Sequence, residues 1–175
     1  MKKFIKWFSI VLVALVVTVF ISGVLVFRMP LPDHDVDVSG LPLNDFVEII
    51  RDDRGVPHIY GSNVDDILFA QGYIHAQDRF WQLEFWSHLS TGRLASLIGE
   101  PGIGADLLFR TYGFNRVAQK EYEEMSEEMK NDLIQYTKGI NAYINSRPQR
   151  ALSLEHFFLT FINPDYVVDE YLPYY

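Results

Sequence analysis

The chain has 175 residues, no cysteine, a formal net charge of −8, and a composition 49% hydrophobic and 15% aromatic. That length suits one domain with a core of its own rather than two. Without cysteine there is no thiolate nucleophile, iron–sulfur cluster, cysteine zinc site or disulfide, and the acidic balance argues against nucleic acid, whose phosphates would be repelled.

The apolar residues are concentrated at the start. Phe8 to Phe27 reads FSIVLVALVVTVFISGVLVF, twenty residues without a charge. As a helix rising about 1.5 Å per residue it spans about 30 Å, the thickness of a bilayer's hydrocarbon core. Lys2, Lys3 and Lys6 precede it. A cleaved signal peptide shares that basic start, but its apolar region runs about 7–15 residues and ends in a small-x-small site. Here the only small residues near the end are Ser22 and Gly23, followed by Val24, Leu25, Val26 and Phe27. Residues 1–28 therefore read as an uncleaved membrane anchor, with a cleaved signal as the alternative and a buried globular helix a distant third. The first 28 residues carry four positive charges and no acid, whereas the remainder carries 11 positive charges against all 23 acids. Basic flanks stay cytoplasmic, so a single-pass topology is expected, with the amino terminus inside and the rest at the cell surface or in the periplasm.

Residues 29–45 hold Pro30, Pro32, Pro42, Gly40 and four aspartates without helical periodicity, and read as an extended linker lifting the domain off the membrane. His34 with Asp33, Asp35 and Asp37 reads as acidic tether rather than metal site, since no second ligand cluster lies nearby in sequence. Phe46–Ile50 and Val56–Tyr60 are expected as strands joined through Arg51-Asp52-Asp53-Arg54-Gly55. Ser62-Asn63-Val64-Asp65 opens a helical pattern running to Leu89, in which Gly72 is a break or a close-packing point. Short helical pieces are expected around Arg93–Ile98, Ala105–Phe109 and Asn115–Tyr122. Ser126 caps the cleanest helix, whose apolar positions Met129, Leu133, Tyr136, Ile140 and Tyr143 form one stripe. Arg147-Pro148 closes it, and a short aromatic segment, Leu154–Phe161, follows.

No H-E-x-x-H or G-x-S-x-G occurs. The glycines of Gly99 to Gly104 are not in phosphate-binding order and read as a turn. The densest constellation runs from Gly72 to Glu84. On a helix, His75 and Arg79 lie four apart, as do Asp78 and Gln82. Asp78 could orient a histidine or hold a cation, but a buried polar network is the better reading, because one helix cannot supply nucleophile, base and oxyanion donors together.

Between Val47 and about Phe158 the chain resembles the penicillin acylase family. The resemblance is carried by Arg51-Asp52, Gly55-Val56-Pro57-His58-Ile59-Tyr60, Phe69-Ala70, Gly72-Tyr73 and above all His75-Ala76-Gln77-Asp78-Arg79, with Trp81-Gln82 and Glu84. Gly92-Arg93-Leu94-Ala95, Gly99, Asp106, Arg110, Gly113, Arg116, Ala118, Tyr136 and Gly139-Ile140-Asn141-Ala142-Tyr143-Ile144 continue it in order. The family consists of self-cleaving amide hydrolases of the N-terminal-nucleophile type, with a four-layer αββα core. Their nucleophile is the first residue of a second subunit, with its own α-amino group as base. The resemblance implies an α+β fold class: a mostly helical front segment with one amino-terminal β-hairpin, preceded by a single transmembrane helix.

Residues 46–175 would be an incomplete amino-terminal part of the enzyme, whose partner is the downstream catalytic subunit and whose substrate is a small-molecule amide such as a penicillin or an acyl-homoserine lactone. This chain offers no catalytic, cofactor-binding or metal residue. Ser62, Ser87, Ser90 and Ser126 occupy no matching position, and the calcium carboxylate implied for the full-length enzyme lies further along. The alternative is a truncated, non-catalytic anchored module. In isolation, residues 29–175 are expected to aggregate, because Phe80, Trp81, Phe85, Trp86, Phe157 and Phe158 would have too little to pack against.

Overall fold

The computed structural model of the chain describes residues 2–34 and 37–174. Helix α1, Lys2–Arg28, is exposed almost throughout, and its Lys3–Arg28 stretch is long and apolar enough to cross a membrane by length and composition. Strands β1, Glu48–Arg51, and β2, Pro57–Tyr60, pair antiparallel with Ile49 opposite Ile59. The turn forms because the Asp52 carboxylate accepts the amides of Arg54 and Val56, both at 2.9 Å, while Gly55 adopts φ 78°. Those two amides hold the Asp52 carboxyl below its ordinary range. Pro57 opens β2, where its missing N–H costs no ladder bond.

The rest is helical: α2 (Val64–Ser90), α3 (Ala95–Ile98), α4 (Ile103–Tyr112), α5 (Phe114–Glu124), α6 (Glu127–Asn145) and α7 (Leu154–Ile162). Asn63 caps α2 and Ser126 caps α6, each accepting a first-turn amide. Of the expected short helices, α3 starts two residues later than predicted, α4 runs two residues before and three after its predicted core, and α5 one before and two after; α2 is not interrupted at Gly72. Its non-helical residue is Arg79 (φ −141°, ψ 35°).

Gly72 and Gly139 instead let α2 and α6 touch backbone to backbone. A Cβ on Gly72 would stand 1.9 Å from the Tyr136 carbonyl oxygen, and one on Gly139 would stand 1.9 Å from that of Phe69. Around this crossing Ala76, Phe80, Ile140, Tyr143, Leu152, Val168 and Tyr171 form the core. Two sequence-based expectations change. Met129, at the start of the apolar stripe on α6, is 54% exposed, because the stripe meets α2 only from Leu133 onward. Phe80 is buried, because α7 folds back and lays His156 against it with ring centroids 4.8 Å apart. Trp86 and Phe158 remain exposed.

The linker is held at both ends. The Asn44 and Asp45 amides each donate at 2.9 Å to the buried Asp66 carboxylate, and Arg147 Nη1 reaches the Pro30 carbonyl at 3.3 Å. Burial raises the Asp66 carboxyl, but hydrogen bonds from Asn44, Asn63 and Asp45 outweigh it and leave the group below its ordinary value. Asp35, one member of the acidic tether, lies outside the described residues.

Candidate functional site

The constellation singled out in the sequence divides into two sites. Its first half faces the hairpin. Arg51 at the end of β1 reaches both Asp78 carboxylate oxygens at 2.8 Å and Gln77 Oε1 at 2.9 Å, a planar fork on a planar acceptor. His75 pairs with the Tyr136 hydroxyl at 2.9 Å and Arg79 with Gln82 at 3.2 Å. The expected buried network is therefore not buried here: His75, Asp78 and Arg79 are all exposed, and Asp78 and His75 fasten the hairpin and α6 to the outside of α2 while Arg79 bonds within α2. Asp78 holds an arginine; it neither orients His75 nor stands free for a cation.

The buried half lies one kink further on. Glu84 is 1% exposed, and its carboxylate accepts hydrogen bonds from the Tyr166 and Tyr171 hydroxyls, the latter at 2.8 Å. His88 Nδ1 contacts the Glu84 carbonyl at 2.9 Å; a carbonyl only accepts, so that nitrogen carries the proton. Burial, together with the Glu84 charge and its hydrogen bonds, drives the Tyr166 and Tyr171 phenols far above their ordinary value, so both stay protonated donors. The segment 163–174 has no regular structure, and side chains hold it: the two phenols on Glu84, Asp169 on Arg93, and Asn141, which bonds the Tyr171 amide and carbonyl at 2.8 and 2.9 Å.

Beside this cluster opens a 440 Å³ cleft lined by His88, Arg93, Ser96, Asp106, Arg110 and Tyr166 among others. Its polar groups are already engaged. Asp106 accepts the Leu94 and Ala95 amides at the start of α3, Arg110 donates to the Gly92 carbonyl at 2.7 Å, and Ser96 donates to the Arg93 carbonyl. The cleft is built as a joint between α2, α4 and the carboxy-terminal segment.

The serines flagged in the sequence have local tasks. Ser62 donates to Asp45 at 2.8 Å, Ser90 donates to the Ser87 carbonyl, which also accepts from Thr91, and Ser126 caps α6. A Ser–His contact that the sequence reading missed joins Ser153 Oγ to His156 Nδ1 at 3.1 Å. Ser153 is the N-cap of α7 and already accepts the His156 amide, and the ring is wholly buried beside Phe80 and Trp81, beyond the reach of a substrate. The spacing Ser-x-x-His before an apolar run was the available signal, and it marks a cap. For the calcium that the family resemblance implies elsewhere, no three His, Asp or Glu side chains converge among the described residues, so no cation-binding set is assigned here.

His156 gives the cluster a pH dependence. Burial holds its imidazole below the ordinary 6.5, outweighing the Glu84 and Glu155 charges that favour protonation; His88 adds to the depression. The unfolded chain thus binds the proton first, and stability present above pH 6.5 declines as pH falls from there toward the folded-state value. One proton contributes a slope of at most about 1.4 kcal/mol per pH unit. Urea midpoints of the detergent-solubilised chain are expected to fall as pH drops below 6.5, and His156→Phe is expected to flatten that slope. An unchanged slope in the variant would assign the dependence to another group.

Comparison with known proteins places this architecture. The penicillin amidase family model matches residues 46–173. Penicillin acylase 2 proenzyme of a Pseudomonas species is 37% identical over 100 residues, covering 57% of this chain and 13% of that protein. The acyl-homoserine lactone acylase QuiP of Pseudomonas putida is 36% identical over 107 residues, covering 61% of this chain and 13% of that protein. Among solved structures, a thermostable penicillin G acylase from Alcaligenes faecalis shares the fold with a TM-score of 0.62 at 24% identity, over 74% of this chain and 67% of that one. The chain thus spans about an eighth of the length of those two relatives. Over that span, mostly helical with a two-stranded antiparallel sheet, the chain belongs to the penicillin amidase family.

Proposed function

We propose that this chain is the first-subunit portion of a membrane-anchored acyl-amide hydrolase, and that it supplies scaffold rather than reacting groups. The observation that carries this reading is the family match over residues 46–173, in a chain whose polar clusters at Asp78, Asp106 and Glu84 hold its own elements together. The nucleophile would come from a second subunit: its amino-terminal hydroxyl adds to the amide carbonyl, its α-amino group takes the hydroxyl proton and passes it to the departing amine, and water then releases the acyl group. Penicillins and acyl-homoserine lactones are the candidate substrates, because relatives carry those names. The anchor is α1, with its lysines on the cytoplasmic side and the domain outside.

The nucleotide sequence after the Tyr175 codon is the first test. A continuing frame with a small residue before serine, threonine or cysteine at a processing site supports the reading. Produced together with that continuation, the chain is expected to sediment with membranes and to release amine from a phenylacetyl anilide, whereas alone it should release none. Hydrolysis by the chain alone would refute the scaffold role. A stop codon with no second-subunit gene nearby would favour a non-catalytic anchored module.

A further inference from the structure

Helix α7 packs against α1. Along the described part of α1, only Gly23 and Val26 lose part of their exposure, and Met29 and Pro30 directly after it do the same. The contact therefore falls on the last turns of α1. Gly23 and Val26 lie five and two residues before Arg28, or about 3–8 Å below the helix end. Beside those turns α7 presents an apolar edge left uncovered among the described residues: Phe158 is 51% exposed, Phe161 80% and Ile162 79%. Helices that lie in a bilayer surface sink their apolar face about 5–10 Å into the headgroup boundary, and the last turns of α1, against which α7 packs, are the part of an inserted anchor that lies nearest that boundary.

We propose that Phe158, Phe161 and Ile162 insert into the outer interface of the bilayer that α1 crosses, so that the domain lies on the membrane instead of being lifted away from it. This rests on the reading of α1 as an inserted anchor. The partner is lipid acyl chain and not anionic headgroup, because residues 29–175 carry 11 positive charges against 23 acids and an anionic surface would repel them. Three apolar side chains entering the interface would fix the tilt of a domain otherwise attached through one helix and a linker held at Asn44, Asp45 and Pro30.

The lack of cysteine makes the test direct, since any introduced thiol is unique. Chains of residues 1–175 carrying Phe161→Cys, Ile162→Cys, Val16→Cys in mid-α1, or Glu123→Cys on the charged face of α5 are labelled with a fluorophore and reconstituted at high dilution into phosphatidylcholine vesicles with brominated acyl chains. The expected result is quenching at 16, 161 and 162 several-fold above that at 123, and unchanged by added salt. Quenching at 16 without quenching at 161 and 162 overturns the proposal and leaves the anchor intact, whether water, a second copy or another subunit covers the edge. Absence of quenching at 16 refutes the anchor reading, and the proposal falls with it. Both tested side chains on α7 are about four-fifths exposed, so the cysteines are not expected to disturb folding.

Discussion

Replacing Gly139 by alanine is expected to lower the stability of the chain by about 2 kcal/mol or more, although alanine is the better helix former. In an open helical position the exchange would gain up to about 1 kcal/mol from backbone entropy. Here the added Cβ would lie 1.9 Å from the Phe69 carbonyl oxygen and 2.8 Å from the Tyr73 amide nitrogen. Those are backbone atoms of α2, and they cannot swing aside as a side chain could. The helices must part by on the order of 1 Å, loosening contacts along the whole crossing. Overpacking of that kind costs about 1–3 kcal/mol and sometimes more, so it outweighs the propensity gain. Gly72→Ala should behave alike, since its Cβ would meet the Tyr136 carbonyl oxygen at the same distance. Gly104→Ala is the control: nothing lies within 4 Å of its Cβ position, and no loss is expected. Urea midpoints of the detergent-solubilised chains decide it, and a Gly139→Ala midpoint equal to that of Gly104→Ala would show that the crossing can relax.

Glu84→Ala is expected to be as damaging, at about 3–5 kcal/mol, by a different route. The substitution strips the half-buried Tyr166 and the buried Tyr171 hydroxyls of their acceptor and opens a void beneath them. Each unsatisfied buried donor costs about 1–3 kcal/mol, and the void adds to that. Because both phenols belong to the segment 163–174, which has no backbone ladder of its own, its release should precede global unfolding. Hydrogen exchange at the Val168 and Tyr171 amides would report it. Glu84→Gln keeps the shape and one good acceptor, so a smaller loss of about 1–2 kcal/mol is expected. Equal protection of those amides in Glu84→Ala and the parent chain would mean that Asn141 and Arg93 hold the segment unaided.

Glu84 also shows why part of the site was hidden. In the sequence it is the last polar residue of a familiar motif, with no mark to separate it from Gln82 or Asp78. Its partners lie 82 and 87 residues away, in a stretch without periodicity. Local spacing speaks for residues three or four apart on one helix, and so the caps at Asn63 and Ser126 and the Asp52 turn were legible. The destination of a side chain across the fold was not. The same limit misplaced Phe80 and Met129, whose environments are set by where α7 returns and where α6 meets α2.

By itself the sequence determined the hairpin, the order and approximate ends of the helices, an apolar amino-terminal helix of membrane-spanning length, and the family, because hydrophobic period, capping chemistry and motif order are properties of neighbours along the chain. The tertiary structure alone decided that Gly72 is a contact point and not a break, that Asp78 serves Arg51, that Glu84 is the buried anchor of the final segment, and that α7 lies beside the end of α1 with its apolar edge uncovered. Those are relations between residues far apart in sequence, fixed only when burial and hydrogen-bond satisfaction are settled for the whole chain at once.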